Sequence, residues 1–163
     1  MATAGKRAVN PLARVTEKPT QRALLQWLRL VLPPGSIVSA TMNESGGAKS
    51  TDPHARARYF EARKASGVVG GWPDLACVMP NAIVVFLETK RPVGGVLSEA
   101  QQEIHARLRA MGHHVGVVTG PESALVVLQA AGVPLRNVGN MQAVPAVVRL
   151  ARSTKLVADP VPI

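Results

Sequence analysis

Two short apolar runs with charged residues at their outer ends constrain this fold most strongly. They lie in residues 71–90, GWPDLACVMPNAIVVFLETK, and only residues 80–82 separate them. Runs 75–79 and 83–87 are apolar at every position, which is typical of strands covered on both faces of a sheet. Because so short a connection leaves no room for a crossover, the two runs are predicted to form an antiparallel hairpin.

The length of the connection decides where three charged side chains point. With a three-residue loop, Asp74 lies opposite Glu88, and Lys90 points to the same face as Glu88. A two-residue loop would turn Glu88 to the other face of the sheet. Buried charges are costly unless they are paired or bound to a metal. We therefore expect the three-residue loop and one site shared by the two acids and the lysine.

This arrangement indicates hydrolysis of a phosphodiester bond. Two neighbouring carboxylates repel each other and favour a divalent cation between them. Oxygen ligands with open positions suit Mg²⁺, with Mn²⁺ as a substitute. Such an ion activates a bound water and neutralises charge on a phosphate, while Lys90 would orient the water and stabilise the transition state. The simpler alternative is a structural ion pair of Glu88 and Lys90 at a strand end.

The rest of the chain predicts an α/β fold with a mixed central sheet flanked by helices. Helices are expected at residues 20–30, 53–66, 98–111 and 122–131, and further strands at 37–42 and 115–118. Residues 43–52 predict a mobile loop that faces the substrate, and Trp27 is expected in the core. Residues 1–16 form a basic N-terminal arm in this interpretation, and residues 132–163 form an extension of unknown role.

The charge distribution favours nucleic acid as the partner. The net charge is +9, and residues 1–66 carry eleven basic and four acidic residues, whereas residues 67–131 carry four basic and five acidic ones. Basic flanks around an acidic centre suit a protein that follows phosphates and holds a cation. Aromatic residues make up only 3% of the chain, which argues against a base-stacking platform.

Cysteine content and hydropathy limit the location of the protein. The single cysteine, Cys77, excludes a disulfide framework and a cysteine-built zinc site. No apolar run approaches the roughly 18 residues of a membrane-spanning helix. No apolar stretch follows Lys6 and Arg7, as it would in a secretory signal. We expect a cytoplasmic protein without a membrane partner.

Taken together, these motifs resemble the VRR-NUC family of the PD-(D/E)xK nuclease superfamily. The resemblance covers residues 17–131 and depends on residues that occur in the family's order. The core of the pattern comprises Gly71, Pro73, Asp74, Glu88, Lys90, Leu97, Ser98, Gln101 and Gly112. The upstream part comprises Glu17, Gln21 and Trp27 at the family's spacing, with Asn43 at the end of the first strand.

The resemblance implies a restriction-endonuclease-like core and a Mg²⁺-dependent nuclease. By analogy, Asp74, Glu88 and the Thr89 backbone carbonyl bind the metal, and Lys90 serves the attacking water. Glu17 and Gln101 would approach the site from the helices on either side. Standalone family members resemble Holliday-junction resolvases that act as dimers, so branched DNA and a homodimer are expected.

Several assignments keep an alternative. Gln101 is also placed to close a capping box with Ser98, and Glu17 precedes Pro19, so it is alternatively a solvated acid outside the helix. No role is assigned to His105. The residues expected to contact nucleic acid are Asn43, Arg56, Arg58, Arg63, Lys64 and Arg91. The alternative functions are a non-catalytic DNA-binding module of the same fold and an RNA endonuclease.

Overall fold

The sheet has four strands, and a computed structural model describes it within residues 16–41 and 51–136. In spatial order the strands are β1 (Ile37–Ala40), β2 (Leu75–Val78), β3 (Val84–Thr89) and β4 (His114–Val118). The pairs β1–β2 and β2–β3 are antiparallel, and β3–β4 is parallel. This confirms the predicted mixed sheet. The N-terminal arm up to residue 15, residues 42–50 with Asn43, and residues 137–163 lie outside the described part.

Four helices flank the sheet in the predicted order along the chain. They are α1 (Glu17–Val31), α2 (Pro53–Ala65), α3 (Glu99–Ala110) and α4 (Pro121–Ala130). A short 3-10 turn at Pro80–Ala82 joins β2 to β3. The observed helix boundaries differ from the predicted ones by a few residues, because helix ends depend on capping and the spacing of apolar residues does not predict capping.

The hairpin register agrees with the three-residue loop. Leu75 pairs with Leu87, and the Met79 N–H donates to the Ile83 carbonyl over 2.9 Å. Counting one residue outward from the Leu75 pair places Asp74 opposite Glu88. The prediction of an odd-length connection is confirmed, and it brings the two acids to one edge and one face of the sheet.

Helices cover the two faces of the sheet unequally. The main core lies under α1 and α4 and includes Trp27, which is 3% exposed as expected for a core residue. On the other face, α3 packs Ile104 and Leu108 against Phe86 of β3. The expectation that both hairpin strands are fully covered is wrong for β2: its residue Val78 is 43% exposed, because α3 packs over β3 and β4 and leaves the hairpin end of β2 outside its footprint.

The helix α2 differs from the others because none of its residues is buried. Its ends are stabilised locally: the Asp52 side chain accepts a hydrogen bond from the His54 N–H at 2.9 Å, and Gly67 follows the helix at a φ of +81°. The basic helix predicted here is therefore present as a solvent-exposed element beside the sheet.

The folded unit extends past the boundary proposed at residue 131. Val133 is 6% exposed and belongs to the main core, and the Arg136 guanidinium donates to the Leu32 carbonyl. Residues 132–136 therefore pack on the domain. In the described ranges, no helix is long and apolar enough to cross a membrane.

Candidate active site

The acidic residues meet at one edge of the sheet because of the strand directions. Glu88 and Thr89 are the last residues of β3, and Asp74 immediately precedes β2, which is antiparallel to β3. The end of one strand and the start of the other therefore lie side by side. The Lys90 N–H donates to the Val118 carbonyl of β4 at 2.9 Å, which continues the ladder and holds Lys90 at the same edge.

Backbone contacts hold Asp74 on both sides. Its Oδ2 accepts a hydrogen bond from the Thr89 N–H at 2.9 Å, and its carbonyl accepts one from the Thr41 N–H at 2.8 Å. The Thr41 hydroxyl donates to the Pro73 carbonyl. Burial raises the pKa of Asp74, and Glu17 raises it further, while the Thr89 N–H and Lys90 oppose the shift. Asp74 is thus a fixed carboxylate in an environment that disfavours its charge.

Glu88 is buried and is paired directly with Lys90. Its side chain is 1% exposed, and its Oε1 lies 2.8 Å from the Lys90 Nζ. Burial raises the pKa of Glu88 and the charge of Asp74 adds to this, whereas the Lys90 hydrogen bond lowers it. Because the charge of Asp74 raises the pKa of Glu88, a bound cation would relieve a repulsion that Lys90 relieves only in part.

Gln101 closes the predicted capping box and also contacts Glu88 and Lys90. Its Oε1 accepts from the Ser98 N–H at 3.0 Å, and the Ser98 hydroxyl accepts from the Gln101 N–H, so the capping box is complete. The same Oε1 accepts from the Lys90 Nζ at 3.1 Å, and the Gln101 Nε2 donates to Glu88 Oε1. The cap of α3 therefore also holds the lysine and the glutamate in place.

The three charged residues line an open cavity of about 620 Å³. Glu17 lines the same cavity and is the first residue of α1, so the alternative is wrong in placing it outside the helix, although its side chain is exposed as that alternative expected. Pro19 does not exclude Glu17 from α1, because the N–H groups of the first helical turn need no partner within the helix. Lys18, Phe60 and Trp72, which the sequence analysis did not assign to the site, line the cavity as well.

The predicted nucleic-acid contacts fall into two groups. Arg63 and Lys64 of α2 line the cavity, and Arg63 is oriented by Tyr59, whose hydroxyl accepts its hydrogen bond at 2.9 Å and whose ring centroid lies 5.6 Å from the guanidinium. Arg56 and Arg58 are exposed on the same helix and do not line the cavity. Arg91 is exposed and donates to the Gly94 carbonyl at 3.4 Å.

The site contains one buried residue that the sequence analysis missed. His105 is fully buried on α3, and its Nε2 lies 3.9 Å from Glu88 Oε2. Burial lowers the pKa of His105, and Arg109 and Lys90 lower it further, so its surroundings favour the neutral ring. The helical spacing of four residues places it on the same side of α3 as Gln101. That spacing was the available signal, but it did not show that this side faces Glu88.

The donor set of this site fits a hard divalent cation. The part of the chain that the structure describes contains no cluster of three or more His, Cys, Asp and Glu residues. A cation held by Asp74 and Glu88 would take its other ligands from backbone carbonyls, water or substrate, as Mg²⁺ does. Within the described residues, Glu88 Oε2 is a buried oxygen without a hydrogen-bond partner, so it retains acceptor capacity for such an ion.

Comparison with known proteins gives two matches. A family model described as the VRR-NUC domain matches residues 15–122, which is more than half of the chain. A solved structure titled "VRR_NUC domain" aligns with a TM-score of 0.44 and 20% sequence identity, covering 69% of this chain and 94% of that one. The comparison with curated proteins gives no match.

Proposed function

This chain belongs to the VRR-NUC domain family, a nuclease-type family, and on that premise we propose that it is a metal-dependent endonuclease that hydrolyses DNA phosphodiester bonds. The observation that carries the proposal is the arrangement of Asp74, Glu88 and Lys90 at one edge of the sheet. Glu88 is buried beside the Lys90 ammonium, and the Thr89 N–H joins Asp74 to the same strand end. All three residues line one open cavity.

In this proposal Asp74 and Glu88 hold a Mg²⁺ ion, with the Thr89 carbonyl as a third protein ligand. Mn²⁺ would occupy the same oxygen ligands. The ion supplies Lewis acidity, which activates water and neutralises charge on the phosphate. The protein contributes the fixed positions of the two carboxylates: the Thr89 N–H holds Asp74, and Lys90 together with Gln101 holds Glu88.

Lys90 is the residue proposed to act on the attacking water. An ammonium group has three N–H donors. The contacts among the described residues use two of them, one to Glu88 Oε1 and one to Gln101 Oε1. The third donor remains for the water or for a phosphate oxygen in the cavity, where it would stabilise the developing negative charge. Glu17 lies near enough to raise the pKa of Asp74, and we propose that it assists in orienting the metal's water ligands.

The basic residues are proposed to bind the phosphates of the substrate. Arg63 and Lys64 line the cavity and would contact the strand that is cut. Phosphate contacts position a nucleic acid without reading its sequence. The further contacts proposed, outside the cavity, are Asn43, Arg56, Arg58 and Arg91.

We propose branched DNA, such as a four-way junction, as the preferred substrate and a homodimer as the working form. A four-way junction is symmetric, so its paired incision requires two active sites related by a two-fold axis. The proposal rests on the resemblance of some family members to junction resolvases and on the net charge of +9, which suits a polyanionic partner.

The test is a cleavage assay on matched labelled substrates: a four-way junction, a flap, a linear duplex, a single strand and an RNA of the same sequence. Each is incubated with Mg²⁺, Mn²⁺ or EDTA. Paired metal-dependent cuts in the junction would support the full proposal. Preferential cutting of the RNA would replace DNA as the substrate, and tight binding without any cutting would favour the non-catalytic DNA-binding module.

A further inference from the structure

His105 is the least satisfied polar side chain near the site. Its side chain has 0% exposure to solvent, and it does not line the cavity. Neither ring nitrogen has a hydrogen-bond partner within the described part of the chain. A buried polar nitrogen without a partner is unfavourable. An apolar side chain would fill the same space without this cost, so space filling alone does not explain a histidine here.

A buried carboxylate oxygen of Glu88 is the candidate hydrogen-bond acceptor for His105. Glu88 Oε2 is also buried without a hydrogen-bond partner, and it lies 3.9 Å from His105 Nε2. One group is a potential donor and the other an acceptor. A displacement of about 1 Å would bring the pair to the distance of an N–H···O hydrogen bond, which is within the reach of small side-chain rotations.

The position of His105 on α3 directs it to the same carboxylate that Gln101 contacts. Gln101, one helical turn earlier, donates to Glu88 Oε1, and His105 faces Oε2. Residues four apart lie on the same side of a helix. Consecutive turns of α3 therefore present one side chain to each oxygen of the same carboxylate.

We propose that His105 is a positioning residue, whose Nε2–H donates to Glu88 Oε2 and fixes the plane of that carboxylate for the cation. Each carboxylate oxygen has two acceptor sites. Lys90 and Gln101 use those of Oε1, and His105 would use one on Oε2, which leaves one for the metal. This inference rests on the proposed function, because it assigns Glu88 to the metal. His105 itself contacts neither metal nor substrate.

Removing the His105 donor should lower the affinity for the metal while the protein remains folded. Groups that hydrogen-bond a metal ligand typically contribute about 10–100-fold in metal affinity. We expect His105→Leu to raise the Mn²⁺ dissociation constant at least about tenfold. His105→Gln, which keeps an N–H donor at a similar distance from the backbone, should stay within about threefold of the wild type. The control is Leu108→Ala, a buried change on the same helix at a residue that packs against Phe86, which should lower stability without changing Mn²⁺ affinity.

The experiment measures Mn²⁺ binding to the full chain by electron paramagnetic resonance of the free ion, with thermal unfolding as the check on folding. A second readout needs no variant: ring ¹⁵N chemical shifts of His105 in the wild type should show the proton on Nε2. A proton on Nδ1, or equal Mn²⁺ affinity in His105→Leu and the wild type, would overturn the inference and leave the proposed function intact. A wild-type protein that binds no Mn²⁺ and cuts no substrate would overturn both.

Discussion

Gly71 is where a single methyl group should disturb the site most. It has a φ of +79°, and a Cβ added there would lie 2.2 Å from the Ala100 carbonyl oxygen and 2.7 Å from the Gln101 nitrogen. Both are backbone atoms of the first turn of α3, so no rotamer change relieves the contact. The change Gly71→Ala must therefore shift the start of the helix that carries Gln101 to Glu88.

The chain provides a matched control for the size of this effect. Gly67 has a φ of +81°, but a Cβ added there meets nothing within 4 Å. Both alanine variants bear the cost of a left-handed backbone, about 1–2 kcal/mol. Only Gly71→Ala adds overpacking, about 1–3 kcal/mol more. We expect a loss of about 2–5 kcal/mol in the free energy of unfolding for Gly71→Ala, against about 1–2 for Gly67→Ala.

Urea unfolding of both variants without metal measures the two losses in the free energy of unfolding. Cleavage of DNA under single-turnover conditions measures how far each substitution disturbs the site. We expect cleavage by Gly71→Ala to fall at least about tenfold because the contacts of Gln101 are displaced. Cleavage by Gly67→Ala should stay within about twofold of the wild type, since the site is untouched. Equal losses of stability and activity in the two variants would refute the packing of α3 against Gly71.

Three further predictions concern charge. Asp74→Asn keeps an acceptor for the Thr89 N–H and removes a buried charge, so it should abolish cleavage and raise metal-free stability at pH 7 by about 0.5–2 kcal/mol in urea unfolding; lower stability would contradict this. The raised pKa values of Asp74 and Glu88 mean that the folded state binds more protons than the unfolded state above the usual carboxyl pKa. The free energy of unfolding without metal should therefore fall as the pH rises from about 4 towards the raised pKa values. The fall should be less steep in Asp74→Asn than in the wild type, and added Mg²⁺ should reverse it at pH 7. Identical pH profiles for the wild type and Asp74→Asn would contradict the raised pKa of Asp74. Arg63→Ala should weaken DNA binding more than Arg58→Ala. In a salt titration, the slope of log affinity against log salt for Arg63→Ala should be smaller than that of the wild type by about one. Equal effects of the two substitutions would show that a position in the cavity lining does not matter for DNA binding.

The hairpin could be predicted from the sequence because its determinants are local. Strand periodicity and the cost of burying charge together required Asp74 and Glu88 on one face, and a three-residue connection met this requirement whereas a two-residue one did not. The register that pairs Leu75 with Leu87 agrees with it. Gln101 was likewise recognisable, because a capping box depends on two residues only three positions apart in the sequence.

His105 and the cavity lining could not be predicted in the same way because they depend on packing between distant elements. Helical spacing relates His105 to Gln101, but only the position of α3 over the sheet shows that this side of the helix faces Glu88. Phe60 and Trp72 line the cavity although the sequence analysis assigned neither of them a role in the site. For Glu17, the sequence did not decide between the first helical turn and the preceding segment, since Pro19 is compatible with both.

The central claim is that Lys90 acts with Asp74 and Glu88 in metal-dependent cleavage. The most direct test is the single-turnover rate of junction cleavage against Mg²⁺ concentration for the wild type, Lys90→Met and Lys64→Met. The second lysine lines the same cavity but pairs with Glu61 in an exposed salt bridge. We expect Lys90→Met to lose about 100-fold or more in rate at saturating Mg²⁺ while it remains folded. Lys64→Met, which removes a proposed phosphate contact, should weaken DNA binding but retain most of the rate when the enzyme saturates the DNA. Cleavage by Lys90→Met at the wild-type rate, or wild-type cleavage that persists in EDTA, would contradict the account.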